Sequence, residues 1–85
     1  MKMMIVIVKD HDADHLTEAL TAGSYRVTRV ASTGGLLRSG VVTLLIGLND
    51  DQVETAIQLM RGKLGSSDEK KATVFVVPVE RFEQV

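Results

Sequence analysis

Two apolar runs, Met3-Met4-Ile5-Val6-Ile7-Val8 and Val41-Val42-Thr43-Leu44-Leu45-Ile46-Gly47-Leu48, set the terms on which this chain can fold. The first is too short to cross a bilayer, which takes about 20 apolar residues, or to serve as the apolar stretch of a signal peptide. Its branched, uninterrupted character suits a strand covered on both faces or central in a sheet. The second run is almost wholly apolar as well, and its pattern is again that of a strand.

The segments around these runs supply the remaining elements. Asp10, Asp12 and Asp14 follow the first run. Asp10 or Asp12 suits the cap of a helix start, where negative charge meets the positive end of the helix dipole. Leu16, Ala19 and Leu20 recur at helical spacing, and Gly23 stands where a helix C-terminal glycine belongs. Tyr25 to Ser32 reads as a second strand and Thr33 to Gly40 as its connection to the second apolar run. Asn49-Asp50-Asp51 opens a second helix, in which Asp51 and Glu54 have capping-box spacing. Its apolar stripe is Val53, Ala56, Ile57, Met60 and Leu64, with Gly62 weakening the last turn. Gly65 to Lys71 is a polar loop, and Ala72 to Val77 is a fourth strand that Pro78 ends or places at an edge. A tail, Glu80 to Val85, completes the sequence.

The order β-α-β-β-α-β predicts an α+β, ferredoxin-like fold in which an antiparallel sheet carries two helices on one face. Residues 1–85 are expected to form one domain, close to the lower limit for a self-sufficient core. The absence of cysteine excludes disulfides and thiolate metal sites, so stability must come from packing, self-association included. A net charge of −1 argues against bulk attraction to nucleic acid or to an anionic membrane. Nothing marks export or membrane insertion, and the expected location is cytoplasmic.

The chemistry concentrates between Arg26 and Gly40, which holds Arg26, Arg29 and Arg38 together with Gly34 and Gly35. No Asp or Glu occurs between Glu18 and Asp50. Glycines admit close backbone approach, free N–H groups and hydroxyls donate, and guanidinium forks match phosphate, so the segment suits an anionic small ligand. A tight hairpin with solvated arginines explains the same residues without any ligand. Gly47, inside a strand of branched residues, marks either a bulge or a place where something must come close. Phe75 suits the core or a stacking face.

Other chemistries fit less well. His11 and His15 are four apart, but a solvated helix start accounts for them without a metal. An acylphosphatase would need a glycine-rich anion loop after its first strand, where this chain has Lys9-Asp10-His11-Asp12. An RNA-recognition domain would need aromatics on its central strands, whereas Tyr25, Phe75 and Phe82 are the chain's aromatics. No nucleophile with an adjacent base and no paired carboxylates occur in the glycine-rich region, so no catalytic residues are assigned.

Taken in order, Arg26-Val27-Thr28, Thr33-Gly34-Gly35-x-Leu37-x-Ser39-Gly40, Ile46-Gly47 and Ala72-Thr73-Val74-Phe75-Val76-x-Pro78-Val79-Glu80 resemble the cyclic di-AMP receptor proteins of the P-II-like signalling superfamily. The resemblance runs from Met1 to about Leu64 and resumes from Ala72 through Phe82. It implies a non-enzymatic ferredoxin-like homotrimer with nucleotide sites between neighbouring subunits and a downstream protein partner that the sequence does not name. Arg26 and Thr28 match family contacts to the nucleotide from the second strand, and Gly35 lies in the matching glycine pair. Leu37 matches a residue that packs on an adenine. Gly47 matches a position of close backbone approach. Phe75 and Gln84 match an aromatic and an amide that line the pocket.

Four departures accompany the match. Leu36 stands where the family has a stacking aromatic, Val41 where it has a hydrogen-bonding asparagine, and Ser24 where it has a further asparagine. The loop from Gly65 to Lys71 is short and ends in Lys70-Lys71. Loss of one stack costs about 0.5–1.5 kcal/mol, and loss of one hydrogen bond about 1 kcal/mol. The implied function is recognition of cyclic di-AMP or a related adenine nucleotide. The alternative is a trimeric protein-interaction module that has lost nucleotide binding.

Overall fold

A computed structural model describes residues 1–30, 40–65 and 70–85. Its elements are β1 (Lys2–Lys9), α1 (Asp10–Ala22), β2 (Arg26–Val30), β3 (Val41–Leu48), a 3-10 turn (Asp50–Gln52), α2 (Val53–Leu64) and β4 (Ala72–Pro78). All neighbouring strands are antiparallel, in the spatial order β2-β3-β1-β4. The two apolar runs are therefore the two central strands, and the split βαβ order is the one expected. Among the described residues, no helix is long and apolar enough to cross a membrane.

Alternation along the strands divides the sheet into two unlike faces. Met4, Val6 and Val8 of β1 and Val42, Leu44, Ile46 and Leu48 of β3 are buried together with Ala13, Leu16 and Leu20 of α1 and Ala56 and Met60 of α2. Both helices thus lie on one face, and that face holds the core. Ile57, Leu64, Val27 and Val74 pack around its margin. Every buried member of the core is apolar. Register there rests on matching the apolar rows.

The helix ends depart from the sequence expectations in instructive ways. Asp10 is the first residue of α1 and Lys9 its cap, with no capping side-chain bond. Asp10 and Asp12 act instead as negative charge in the first turn. The capping box before α2 is Asn49 with Gln52, not Asp51 with Glu54, and the Asn49 amide donates to Gln52 Oε1 at 2.8 Å. A 3-10 turn precedes the α-helix, which moves the cap two positions toward the N-terminus.

Gly23 does not take the left-handed conformation expected of a glycine after a helix; its φ is −84°, and Ser24 carries the positive φ of 70°. Gly23 is small for a steric reason, since a Cβ there would lie 3.2 Å from the Tyr25 ring. Left-handed backbone is several-fold enriched in asparagine over other non-glycine residues. An asparagine at the Ser24 position therefore has a backbone rationale that involves no ligand.

Two stability effects follow. Leu44→Ala, at a fully buried central-strand position, should cost about 2–5 kcal/mol in urea unfolding. Ser24→Asn should stabilise by on the order of 0.5–1 kcal/mol by relieving left-handed strain. A variant no more stable than wild type in urea unfolding would show that the left-handed residue carries no strain.

Candidate functional site

The second face of the sheet carries no helix. Strand pairing aligns its residues in rows: Arg26, Gly47, Met3 and Val77; then Thr28, Leu45, Ile5 and Phe75; then Val30, Thr43, Ile7 and Thr73. Its centre is apolar (Met3, Ile5, Ile7 and Leu45), and its β4 edge ends in Phe75, which is 52% exposed. The sequence reading passed over these central residues. Their signal was present, because two helices on one face leave half of each apolar run in need of other cover.

Gly47 sits on this face without a bulge. Its register continues unbroken to Met3 on one side and Arg26 on the other. It is exposed, and a Cβ built on it meets nothing within 4 Å. Neither its φ, which is not among the positive values, nor crowding by the described residues requires glycine at this position. Arg26 stands directly beside it, exposed and with no ion-pair partner among the described residues. Thr28 lies two residues along on the same face, also exposed.

Arg29 differs from Arg26. It points to the helix side of β2, where its guanidinium lies 2.5 Å from Asp14 Oδ1 and 3.9 Å from Asp10 Oδ1. The arginine-rich strand thus splits by alternation into one arginine committed to α1 and one presented to the open face. With 41% and 77% of the two side chains exposed, the Arg29–Asp14 pair contributes little stability, about 0–1 kcal/mol.

Phe75 shares a row with Thr28 but stands on the opposite edge strand. Three strand spacings separate them, about 14 Å of sheet. Gln84 is exposed in the tail beyond β4, which leaves from the sheet end that also carries Arg26 and Gly47. There the Val79 amide donates to the Met1 carbonyl at 3.0 Å. The structure therefore joins Arg26, Thr28 and Gly47 into one group and places Phe75 apart from it on the opposite edge strand. Gly35, Leu37 and the departure at Leu36 lie outside the described residues, and Val41 begins β3 opposite Lys9.

Residues 1–70 match the family model described as "Cyclic-di-AMP receptor". The chain belongs to the cyclic-di-AMP receptor family. This match includes Arg26, Thr28, Gly35, Leu37 and Gly47, while Phe75 and Gln84 lie beyond it. Among solved structures, the chain is similar to a functionally unknown protein from Pediococcus pentosaceus ATCC 25745, at 32% identity and a TM-score of 0.80. That likeness covers 99% of this chain and 96% of the other.

The open Cβ space at Gly47 makes a direct test possible. Gly47→Val should leave thermal unfolding within about 1 kcal/mol of wild type, because valine suits a strand and meets no neighbour within the chain. Unfolding of the variant would show that the glycine serves the sheet itself.

Proposed function

We propose that this receptor-family chain is a non-enzymatic, P-II-like signalling protein that binds cyclic di-AMP or a related adenine nucleotide between the subunits of a homotrimer. The observation that carries the reading is the triplet Arg26, Thr28 and Gly47. It combines a guanidinium with no partner among the described residues, a hydroxyl and bare backbone on one open face. A guanidinium fork and a hydroxyl are donors for phosphate oxygens, and a glycine lets a flat base or a sugar approach the strand. Such a set suits a nucleotide better than it suits nucleic acid, since the chain as a whole carries a net charge of only −1.

The separation of Phe75 from the triplet supports a site shared between copies. A stacking ring about 14 Å away cannot close on a base held beside Gly47 of the same sheet. When the β4 edge of one copy meets the β2 edge of the next, Phe75 and Gln84 of one subunit complete the triplet of its neighbour. The apolar rows centred on Ile5 and Leu45 supply the association surface, since an uncovered apolar face of this kind is characteristic of an interface. A chain of 85 residues also gains much of its burial by assembly.

Calorimetric titration with cyclic di-AMP, and with AMP, ATP and cyclic di-GMP alongside, tests the ligand; sedimentation equilibrium tests the trimer. Arg26→Ala should weaken binding at least about tenfold, corresponding to loss of a charged hydrogen bond of about 1.5–3 kcal/mol. Arg61→Ala, on α2, should change it little, and equal losses would mean general electrostatics alone. A monomer at micromolar concentration would remove the shared site.

The double substitution Leu36→Phe with Val41→Asn should raise affinity for cyclic di-AMP about thirtyfold, from a restored stack and base-edge hydrogen bonds together contributing ~2 kcal/mol. The gain should favour adenine over guanine. A trimer that shows no gain would shift the reading toward protein interaction without nucleotide.

A further inference from the structure

Gly47 leaves a notch in the open face of the sheet, and the residues on its two flanks are chemically unlike. The row reads Arg26 of β2, Gly47 of β3, Met3 of β1 and Val77 of β4. Neighbouring strands lie about 4.8 Å apart, so the backbones of Arg26 and Met3 stand about 9.6 Å from one another, with only a glycine between them. A Cβ at Gly47 would meet nothing within 4 Å, so no described side chain fills the gap. Alternation puts Met3 on this face, half-buried, and its neighbour Met4 in the core beneath the helices. Val77 stands beyond Met3 in the row and Ile5 follows it on the same face of β1, which leaves the flank of Met3 toward Gly47 open.

We infer that Met3 is a ligand-contacting residue of this site, its thioether meeting the base of a nucleotide whose phosphate Arg26 holds. This contact rests on the nucleotide reading above and adds to it both a residue and an orientation. Methionine offers no donor and only a weakly accepting sulfur, so a phosphate gains nothing on the β1 side of the notch. On the β2 side it meets the Arg26 guanidinium, whose fork matches its oxygens. The β1 side is left to the apolar, aromatic part of the ligand. A thioether makes favourable contacts with aromatic rings at about 5 Å, and three rotatable bonds let it adapt to an irregular gap. Two strand spacings suit a phosphate at one end and a purine at the other. The base therefore points from the β2 edge toward the centre of the sheet.

The test uses the full chain labelled with carbon-13 at its methionine methyl groups and titrated with cyclic di-AMP, with ribose 5-phosphate as a base-free control. The chain has four methionines, and Met3→Leu identifies the signal of interest. Cyclic di-AMP should move the Met3 methyl upfield through the ring current of the base. Met4 and Met60, 0% and 3% exposed in the core, should hold their positions. Ribose 5-phosphate should leave Met3 where it is. In calorimetry, Met3→Ala should weaken cyclic di-AMP binding about two- to tenfold, the size of a lost sulfur–aromatic contact, and Met3→Leu should weaken it less. Wild type that binds cyclic di-AMP with an unmoved Met3 signal would overturn this inference alone. An unmoved signal together with a Met3→Ala variant that no longer assembles would assign Met3 to the contact between copies instead. An equal shift with ribose 5-phosphate would overturn the orientation, since the sugar phosphate would then lie against β1. Wild type that binds no nucleotide would overturn the nucleotide reading and this contact with it.

Discussion

The register between β1 and β3 is the constraint from which the rest of this molecule follows. With Met4 opposite Ile46 and Val6 opposite Leu44, one set of alternate residues forms the core beneath both helices. The complementary set, Met3, Ile5 and Ile7 with Leu45, faces the other way. A slip of one residue would exchange the two sets and put Gly47 into the core, leaving a void beneath a helix. The same alignment brings β2 in with Arg26 opposite Gly47. The core and the Arg26, Thr28 and Gly47 group therefore share one strand, β3, whose alternate residues serve each.

Much of the fold was legible in the sequence because its signals are periodic and redundant. Two apolar runs marked the central strands, and the stripe from Val53 to Leu64 marked α2 without ambiguity. What failed was local. A glycine after α1 suggests a conformational device, but its neighbour Ser24 takes the positive φ and Gly23 yields space to Tyr25. Spacing alone points to Asp51 and Glu54 as the capping box, because a 3-10 turn leaves no mark in a pattern built on a period of 3.6.

The candidate site was legible only in part, for a reason that lies in strand geometry. Sequence proximity grouped Arg26 with Arg29, but alternation sends them to opposite faces, and Asp14 holds the second. Sequence also left Gly47 between a bulge and a place of close approach. Continuous pairing on both sides removes the bulge. Phe75 and Thr28, far apart in the chain, turn out to share a row, yet the width of the sheet holds them apart. Distances across a sheet depend on strand order, and strand order is what a linear pattern encodes least.

The position of β4 has a mechanical consequence. It is an edge strand one residue thick, with Phe75 on the side of the proposed nucleotide cleft and Val74 and Val76 on the side that carries α2. Among the described residues its ladder runs along one edge, to β1, and continues past Pro78 in the bond from the Val79 amide to the Met1 carbonyl. The strand is in this sense a septum, with an aromatic ring on one side and aliphatic side chains on the other. A substitution on either side of it therefore reaches both faces of the sheet through a single thickness of backbone.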